Sequence, residues 1–406
     1  KETYALISAG DNGGVFQLES YGMRQMLQEM KPRSMDDILA AIALYRPGPM
    51  DSIPKYIAGR NHPESVKYEV PALKPILSST YGCIVYQEQV MTILRELGGF
   101  SFGHADIVRR AMSKKKASAM ESERKAFVQG VCEKGVPEST ADHLFDEMAA
   151  FANYAFNKSH AAAYAVIAYR TAYLKAHYPR EYFAALLTSV LDSQEKMAEY
   201  IADCEKRGIH VMPPDINKSN IYFHVSDNEI RFGLAALKNV GRQFVDSILD
   251  ERKRATFRSF EDFVQRMTGH DLNKRQVETL IKGGAFDALG VFRSRMLAAY
   301  EPMIDGMASR NRSNLDGQLD MFSQVGTVGE NKTTMEYQYP MLPEISLRER
   351  LMQEKDASGM YFSGHLLDDY SRQMATLPLT PHSAFAAHPS DSELSETTME
   401  QEREPI

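Results

Sequence analysis

Ser34-Met-Asp-Asp-Ile-Leu-Ala-Ala-Ile-Ala-Leu-Tyr-Arg-Pro47 is the stretch from which the fold class can be read. Ser34 offers the hydroxyl of a helix N-cap, and Asp36 and Asp37 put negative charge beside the free N–H groups of a first turn. Ile38, Leu39, Ile42 and Ala43 then recur at helical spacing, and Pro47 cannot continue the run. The stretch predicts a capped helix followed by a turn.

Working outward, helical periodicity resumes from Gln87 to Leu97, where Gly98 and Gly99 end it, and returns over Ala105 to Met112, Ala117 to Cys132 and Thr140 to Ala152. The most apolar run, Ala161 to Tyr169, is too short to span a bilayer and leads into Arg170 and Lys175, so it predicts a buried helix. The first 210 residues read as mainly helical. Near Met212 the texture changes. Pro213, Pro214 and Asp215 break the helix, and Tyr222-Phe-His-Val and Ile230-Arg-Phe predict two short strands around Ser226-Asp-Asn.

A domain boundary near 210 follows, with a second unit over 211–305 that holds this β element and helices near 242–253, 258–267, 273–283 and 292–307. Residues 306–345, rich in Asn, Ser, Gly and Thr, predict a linker. A closing helix is expected over 346–370. Residues 371–406 carry Pro, Ser, Thr and acids with few large apolar side chains and predict a linker or disordered end.

A chain of 406 residues has room for about two to four domains, and 43% hydrophobic with 25% charged residues is a soluble globular profile. The net charge of −7 excludes a uniformly basic nucleic-acid binder, so any such surface must be local. Cys83, Cys132 and Cys204 lie far apart with no Cys-x-x-Cys, which predicts reduced cytoplasmic thiols and neither disulfides nor a zinc site. Lys1 without an apolar signal region suggests a piece cut from a longer polypeptide, with no membrane role.

Two segments could hold phosphate. Residues 109–116, Arg-Arg-Ala-Met-Ser-Lys-Lys-Lys, carry five cations and no acid, which suits either a phosphate site or a solvated face. In Asn157-Lys-Ser-His160, Ser159 can cap a long helix whose free N–H groups favour anions, while Lys158 adds a formal charge. That segment reads as a triphosphate cradle or as an ordinary capped helix, and His160 alone is as readily structural as catalytic. No phosphate-binding loop, His-Glu-x-x-His, EF-hand or nucleophile elbow is present. Nor is there an Asp-x-Asp pair on a strand, as two cations about 3.5–4 Å apart would need.

Leu237-Lys-Asn-Val-Gly241 has the form of a helix-hairpin-helix turn whose backbone amides meet a DNA phosphate, with Lys238, Arg242, Lys274 and Arg275 as candidate phosphate contacts if they share one surface. Gln318-Leu319-Asp320-Met321-Phe322 puts apolar side chains on an otherwise hydrophilic linker and reads as a docking peptide or a loop tip folded back.

Taken in order, Gly14-Val-Phe-Gln-Leu-Glu-Ser20, Tyr45-Arg-Pro-Gly-Pro49, Tyr81-Gly-Cys-Ile-Val-Tyr-Gln-Glu-Gln-Val90, Arg109 to Lys116 and Phe156-Asn-Lys-Ser-His160 closely resemble the C-family replicative polymerases, the bacterial DNA polymerase III alpha subunits. The resemblance runs from about residue 10 to 370, through Pro213-Pro-Asp-Ile-Asn217, Gly283-Gly-Ala-Phe-Asp287 and Ser363-Gly-His365. It departs at Leu366, where the family commonly has Pro.

The resemblance implies a mainly α, multidomain chain: a helical fingers domain over 1–210, then tandem helix-hairpin-helix elements with a short β element. It implies an incoming deoxynucleotide near Arg109, Arg110, Asn157, Lys158, Ser159 and His160, and duplex DNA near Lys238, Gly241, Arg242, Lys274 and Arg275. The Gln318 to Phe322 peptide would meet the beta sliding clamp. Partners would be primer-template DNA, dNTP, the clamp and the other holoenzyme subunits, in the bacterial cytoplasm at the nucleoid. The catalytic palm aspartates and their Mg²⁺ would lie N-terminal to Lys1, so this piece alone would not polymerise. The rival readings are a non-enzymatic clamp- and DNA-binding adaptor and an error-prone polymerase of the same family.

Overall fold

The computed structural model describes residues 1–46, 48–113, 117–152, 156–315 and 337–370. It is mostly helical with one small sheet, and the chain divides into two compact units. The first comprises Lys1–Met212 with Lys218–Ala236, and the second Pro213–Asn217 with Leu237–Ile406.

The first unit holds α1 (Glu2–Ser8), α2 (Tyr21–Met30), α3 (Met35–Leu44), α4 (Ile53–Asn61), α5 (Lys74–Leu77) and α6 (Gln87–Glu96). After these come α7 (Phe102–Ser113), α8 (Ala117–Cys132), α9 (Glu138–Ala152), α10 (Lys158–His177), α11 (Pro179–Ser189) and α12 (Gln194–Lys206). The Ser34 hydroxyl accepts from Asp37 N, and the Asp37 carboxylate reaches back to the N-cap amide, completing a capping box at the start of α3. Asp37 is buried and also takes Arg60 at 2.9 Å, so this acid is structural.

α3 packs along α10. Ala161, Ala165, Ala168 and Ala172 form the buried stripe of α10 and face a core that includes Ile38, Ala41 and Ile42, small side chains letting the helix axes approach closely. Apart from that stripe only Lys175 of α10 is buried. Val166 and Ile167 are exposed at 41 and 44%, which corrects the expectation of a buried helix over Ala161 to Tyr169, and Tyr173 and Leu174 beyond it are exposed too. At its other end α10 carries Lys175, fully buried, whose Nζ donates to the Gly13 carbonyl at 2.8 Å and to Asp11 at 3.1 Å. A second cluster, with Val90, Ile93, Leu94, Val108, Phe127 and Met148, joins α6, α7, α8 and α9.

The sheet has strand order β1-β3-β2. β2 (His224–Ser226) and β3 (Glu229–Arg231) form a hairpin through Asp227 and Asn228, both at positive φ, the geometry of a primed two-residue turn. β1 (Val211–Met212) pairs parallel to β3, a strand with no periodic signal in the sequence. The sheet packs on α11 and belongs with the first unit rather than with residues 237 onward, where the sequence had suggested it.

The second unit contains α13 (Arg242–Arg254), α14 (Phe260–Met267), α15 (Lys274–Lys282), α16 (Arg293–Leu315) and α17 (Leu347–Ser358). Phe257, Phe260, Phe263 and Phe286 meet edge to face at its centre. Glu354, fully buried, takes Arg293 Nη2 at 2.9 Å and the backbone amides of Phe362 and Ser363 at 2.7 and 2.9 Å. α16 continues past Pro302 to Leu315, so residues 306–315 of the expected linker are helical, and 316–336 lie outside the described residues. The expected disordered end, 371–406, lies outside the described residues.

All three thiols are free. Burial pushes the Cys83 thiol up to about 11 and the Cys204 thiol up to about 12, whereas Cys132 is half-buried at the end of α8.

Candidate phosphate-binding sites

The segment before α10 is fixed by a short pairing of Tyr86 with Phe156, in which Gln87 N donates to the Phe156 carbonyl at 3.0 Å. Asn157 then has extended backbone and accepts from His160 N at 2.9 Å, so Asn157 is the N-cap of α10. Ser159, expected to be the cap, lies inside the first turn. The helix begins at Lys158, and a cap must precede the first helical residue to reach the third amide. Asn157, Lys158, Ser159 and His160 are all exposed.

Around this helix start the aromatic rings are loaded with cations. The Arg46 guanidinium lies 3.9 Å over the Phe156 ring, and Lys158 Nζ lies 5.4 Å from the centre of Tyr86. His160 sits between Phe156 and Tyr164, with ring centres 5.3 and 4.3 Å away. A carboxylate already meets the donors of the first turn. Glu88 Oε1 takes the Asn157 side-chain amide at 3.1 Å, and Oε1 and Oε2 take Lys158 N at 3.1 and 3.0 Å.

Arg109 and Arg110 lie on α7, whose short connection from α6 makes the two helices antiparallel neighbours. Both arginines engage Asp106, at 2.9 and 2.8 Å. The hydrogen bond from Arg109, and then the charges of both arginines, hold the Asp106 carboxyl below its ordinary range. Arg109 is nearly covered at 14% exposure, while Arg110 extends into solvent at 68%. α6 is therefore the element that touches both the arginine helix and the start of α10. Lys114, Lys115 and Lys116 lie outside the described residues.

In the second unit, the turn at Leu237-Lys-Asn-Val-Gly241 reverses at Asn239, φ +63°, and not at a glycine. Gly241 is the N-cap of α13 with an ordinary negative φ, and a Cβ built there would meet nothing within 4 Å, so the glycine leaves the helix start open to an approaching group. Lys238 and Arg275 line one cleft of about 460 Å³ together with Asn239, Glu278, Thr279 and Lys282. Arg242 and Lys274 are not among its lining residues. Lys274 is held by Asp305 at 2.8 Å and Glu301 at 3.6 Å, and Arg242 reaches Asp246 at 3.8 Å. Gln318 to Phe322 lie outside the described residues.

Sequence reading passed over Glu88, Asp106, Arg46 and Lys282. Asp106 was available as the i, i+3 and i, i+4 partner of the two arginines. Glu88 was not, because an acid in the first turn of α6 reads as serving its own helix while its hydrogen-bond partners lie about seventy residues away. Among the described residues no group of three or more His, Cys, Asp or Glu could hold a metal ion. No described helix is long and apolar enough to cross a membrane.

Residues 1–135 match the family described as the bacterial DNA polymerase III alpha subunit finger domain, and residues 208–296 match the helix-hairpin-helix motif. The chain is 45% identical over 392 residues to DNA polymerase III subunit alpha of Thermus aquaticus, covering 95% of this chain and 31% of that protein. It is 45% identical to the Deinococcus radiodurans subunit, covering 91% and 28%, and 42% identical to that of Treponema pallidum, covering 93% and 32%. The chain thus spans about a third of the length of the curated relatives it matches.

Proposed function

Since the chain belongs to the DNA polymerase III alpha subunits over the stretch it spans, we propose that it serves template-directed DNA synthesis by binding the incoming nucleotide and the product duplex. The observation that carries this reading is the start of α10, where Asn157 and Lys158 are exposed and the first-turn amide of Lys158 holds the Glu88 carboxylate of α6, a helix that also packs against the arginine helix α7. Such a start, with fixed N–H donors and added cations, suits the phosphates of a deoxynucleoside triphosphate. Arg109, Arg110 and Lys158 would offset triphosphate charge during attack by the primer 3′ hydroxyl, and Ser159 and His160 would line the same face.

Duplex DNA would meet the second unit at the cleft of Lys238 and Arg275, with Gly241 admitting a phosphate to the α13 amides and Arg242 and Lys274 flanking. Gln318 to Phe322 would tether the chain to the beta sliding clamp and so to the other holoenzyme subunits. The Mg²⁺ that such a polymerase would use does not fit the described residues, which offer no cluster of three or more His, Cys, Asp or Glu to hold it.

The test is single-nucleotide incorporation by the full-length polymerase carrying Lys158→Ala. Loss of a charge-assisted phosphate contact should raise the dNTP KM by about 10- to 100-fold. An unchanged KM would remove the nucleotide reading of this site.

A further inference from the structure

Asp106 already pairs with the arginines of α7, and at the start of α10 it is Glu88 whose contacts oppose the proposed ligand. The first N–H groups of a helix have no partner inside it, and at α10 those of Asn157's side chain and Lys158's backbone are taken by both oxygens of the Glu88 carboxylate. These are the donors a phosphate oxygen would use, and a carboxylate is the side chain closest to phosphate in charge and acceptor geometry.

The carboxylate is also held in place from behind. Gln89, next in the chain and buried, accepts from Val85 N and Tyr86 N at 2.8 and 2.9 Å, and its amide donates to Thr80 Oγ1 at 2.8 Å. Tyr86 is tied in turn to Phe156, the residue before the cap. The first turn of α6 and the start of α10 therefore share one frame, and Glu88 reaches across it from a fixed base rather than from a loose surface turn.

Resting on the nucleotide reading above, we infer that Glu88 is an internal competitor for the phosphate seat, so that occupying it requires an anion whose further contacts offset the displaced carboxylate, as a triphosphate's would. A ligand carrying a single charge merely exchanges with the carboxylate, whereas a triphosphate also engages Lys158 and the arginines of α7. Glu88 thereby lowers the affinity of every anion at this seat by a similar factor, so that at low concentration only an anion with further contacts occupies it.

The experiment uses the full-length polymerase with Glu88→Gln, Glu88→Asp and, as a reference, Lys158→Ala, each measured for dNTP KM and kcat and for inhibition by inorganic tripolyphosphate and by orthophosphate. Removing one charge at a helix N-terminus should lower KM in Glu88→Gln by about two- to five-fold. Inhibition by orthophosphate and by tripolyphosphate should both strengthen in Glu88→Gln, with tripolyphosphate remaining the tighter inhibitor. Glu88→Asp, which keeps the charge one methylene further back, should fall between the two.

A role confined to holding the loop would raise KM and lower kcat together in Glu88→Gln, and that result overturns the inference. An unchanged KM in Glu88→Gln with a raised KM in Lys158→Ala overturns it too, while leaving the nucleotide site standing. If Lys158→Ala has no effect, the nucleotide site and the inference fail together.

Discussion

The start of α10 in the first unit and the cleft of α15 in the second both set cations beside carboxylates, but they do so in opposite ways. At α10 the acid, Glu88, comes from another helix, is directed onto backbone amides, and stands on a base of buried hydrogen bonds through Gln89. At the second unit the pairs Lys274 with Asp305 and Lys238 with Asp356 join exposed ends of flexible side chains, at 2.8 and 3.9 Å. Exposed pairs of that kind are worth roughly 0–1 kcal/mol and are readily exchanged for another anion. On the proposed reading, the first surface would admit only an anion able to displace a fixed carboxylate, and the second would accept any phosphate backbone.

The largest effect should come from breaking the frame under the cleft. Glu354 lies on α17, close in sequence to Asp356 and Ala357, which line the cleft, and it is the buried partner of Arg293. Glu354→Ala leaves that arginine buried with fewer partners and should cost roughly 3–5 kcal/mol in urea unfolding of the chain. A loss below about 1 kcal/mol would mean that the cleft does not depend on this pair, and the contrast between a loose surface and a rigid base would lose its second half.

An intermediate effect tests the surface itself. Arg275→Ala in the full-length polymerase should weaken duplex binding to a similar degree for all sequences and reduce the slope of log affinity against log salt by about 1. A sequence-dependent loss, or an unaltered slope, would place Arg275 on a base edge or off the DNA. Lys274→Ala makes a useful companion, because Lys274 is outside the cleft lining and already held by two acids.

The smallest effect sharpens the first half of the comparison. Asp106 joins both arginines within one helix, and Asp106→Asn should change stability by only about 0.2–0.5 kcal/mol per pair lost, read from the melting temperature. A drop of several degrees would show that the pairing builds α7 rather than merely steadying its cations.

How far the sequence carried these conclusions depended on the range of the interactions involved. The helix at Ser34 was legible because its cap, its acids and its stripe lie within a dozen residues, and α8 was read with the same ends the structure gives it. The cap of α10 was misplaced by two residues because Asn157 and Ser159 both suit the role, and only the extended backbone imposed by Phe156 pairing with Tyr86 decides between them. β1 was invisible for a like reason, as two residues carry no period and pair with a strand some twenty positions on. Most cations of both sites could be picked out along the chain, Arg46 and Lys282 excepted. Their carboxylate partners across the fold, Glu88 above all, could not.

The three thiols offer a practical handle. Cys83 and Cys204 are buried and hold their protons to about 11 and 12, so thiol-directed reagents used near neutral pH meet little thiolate at either. Cys132, half-buried at the end of α8, is left as the favoured attachment point among them. A maleimide dye or spin label should therefore settle on one helix of the first unit without any cysteine being engineered in or out. That would make the wild-type chain its own reporter for following nucleotide and DNA as they arrive.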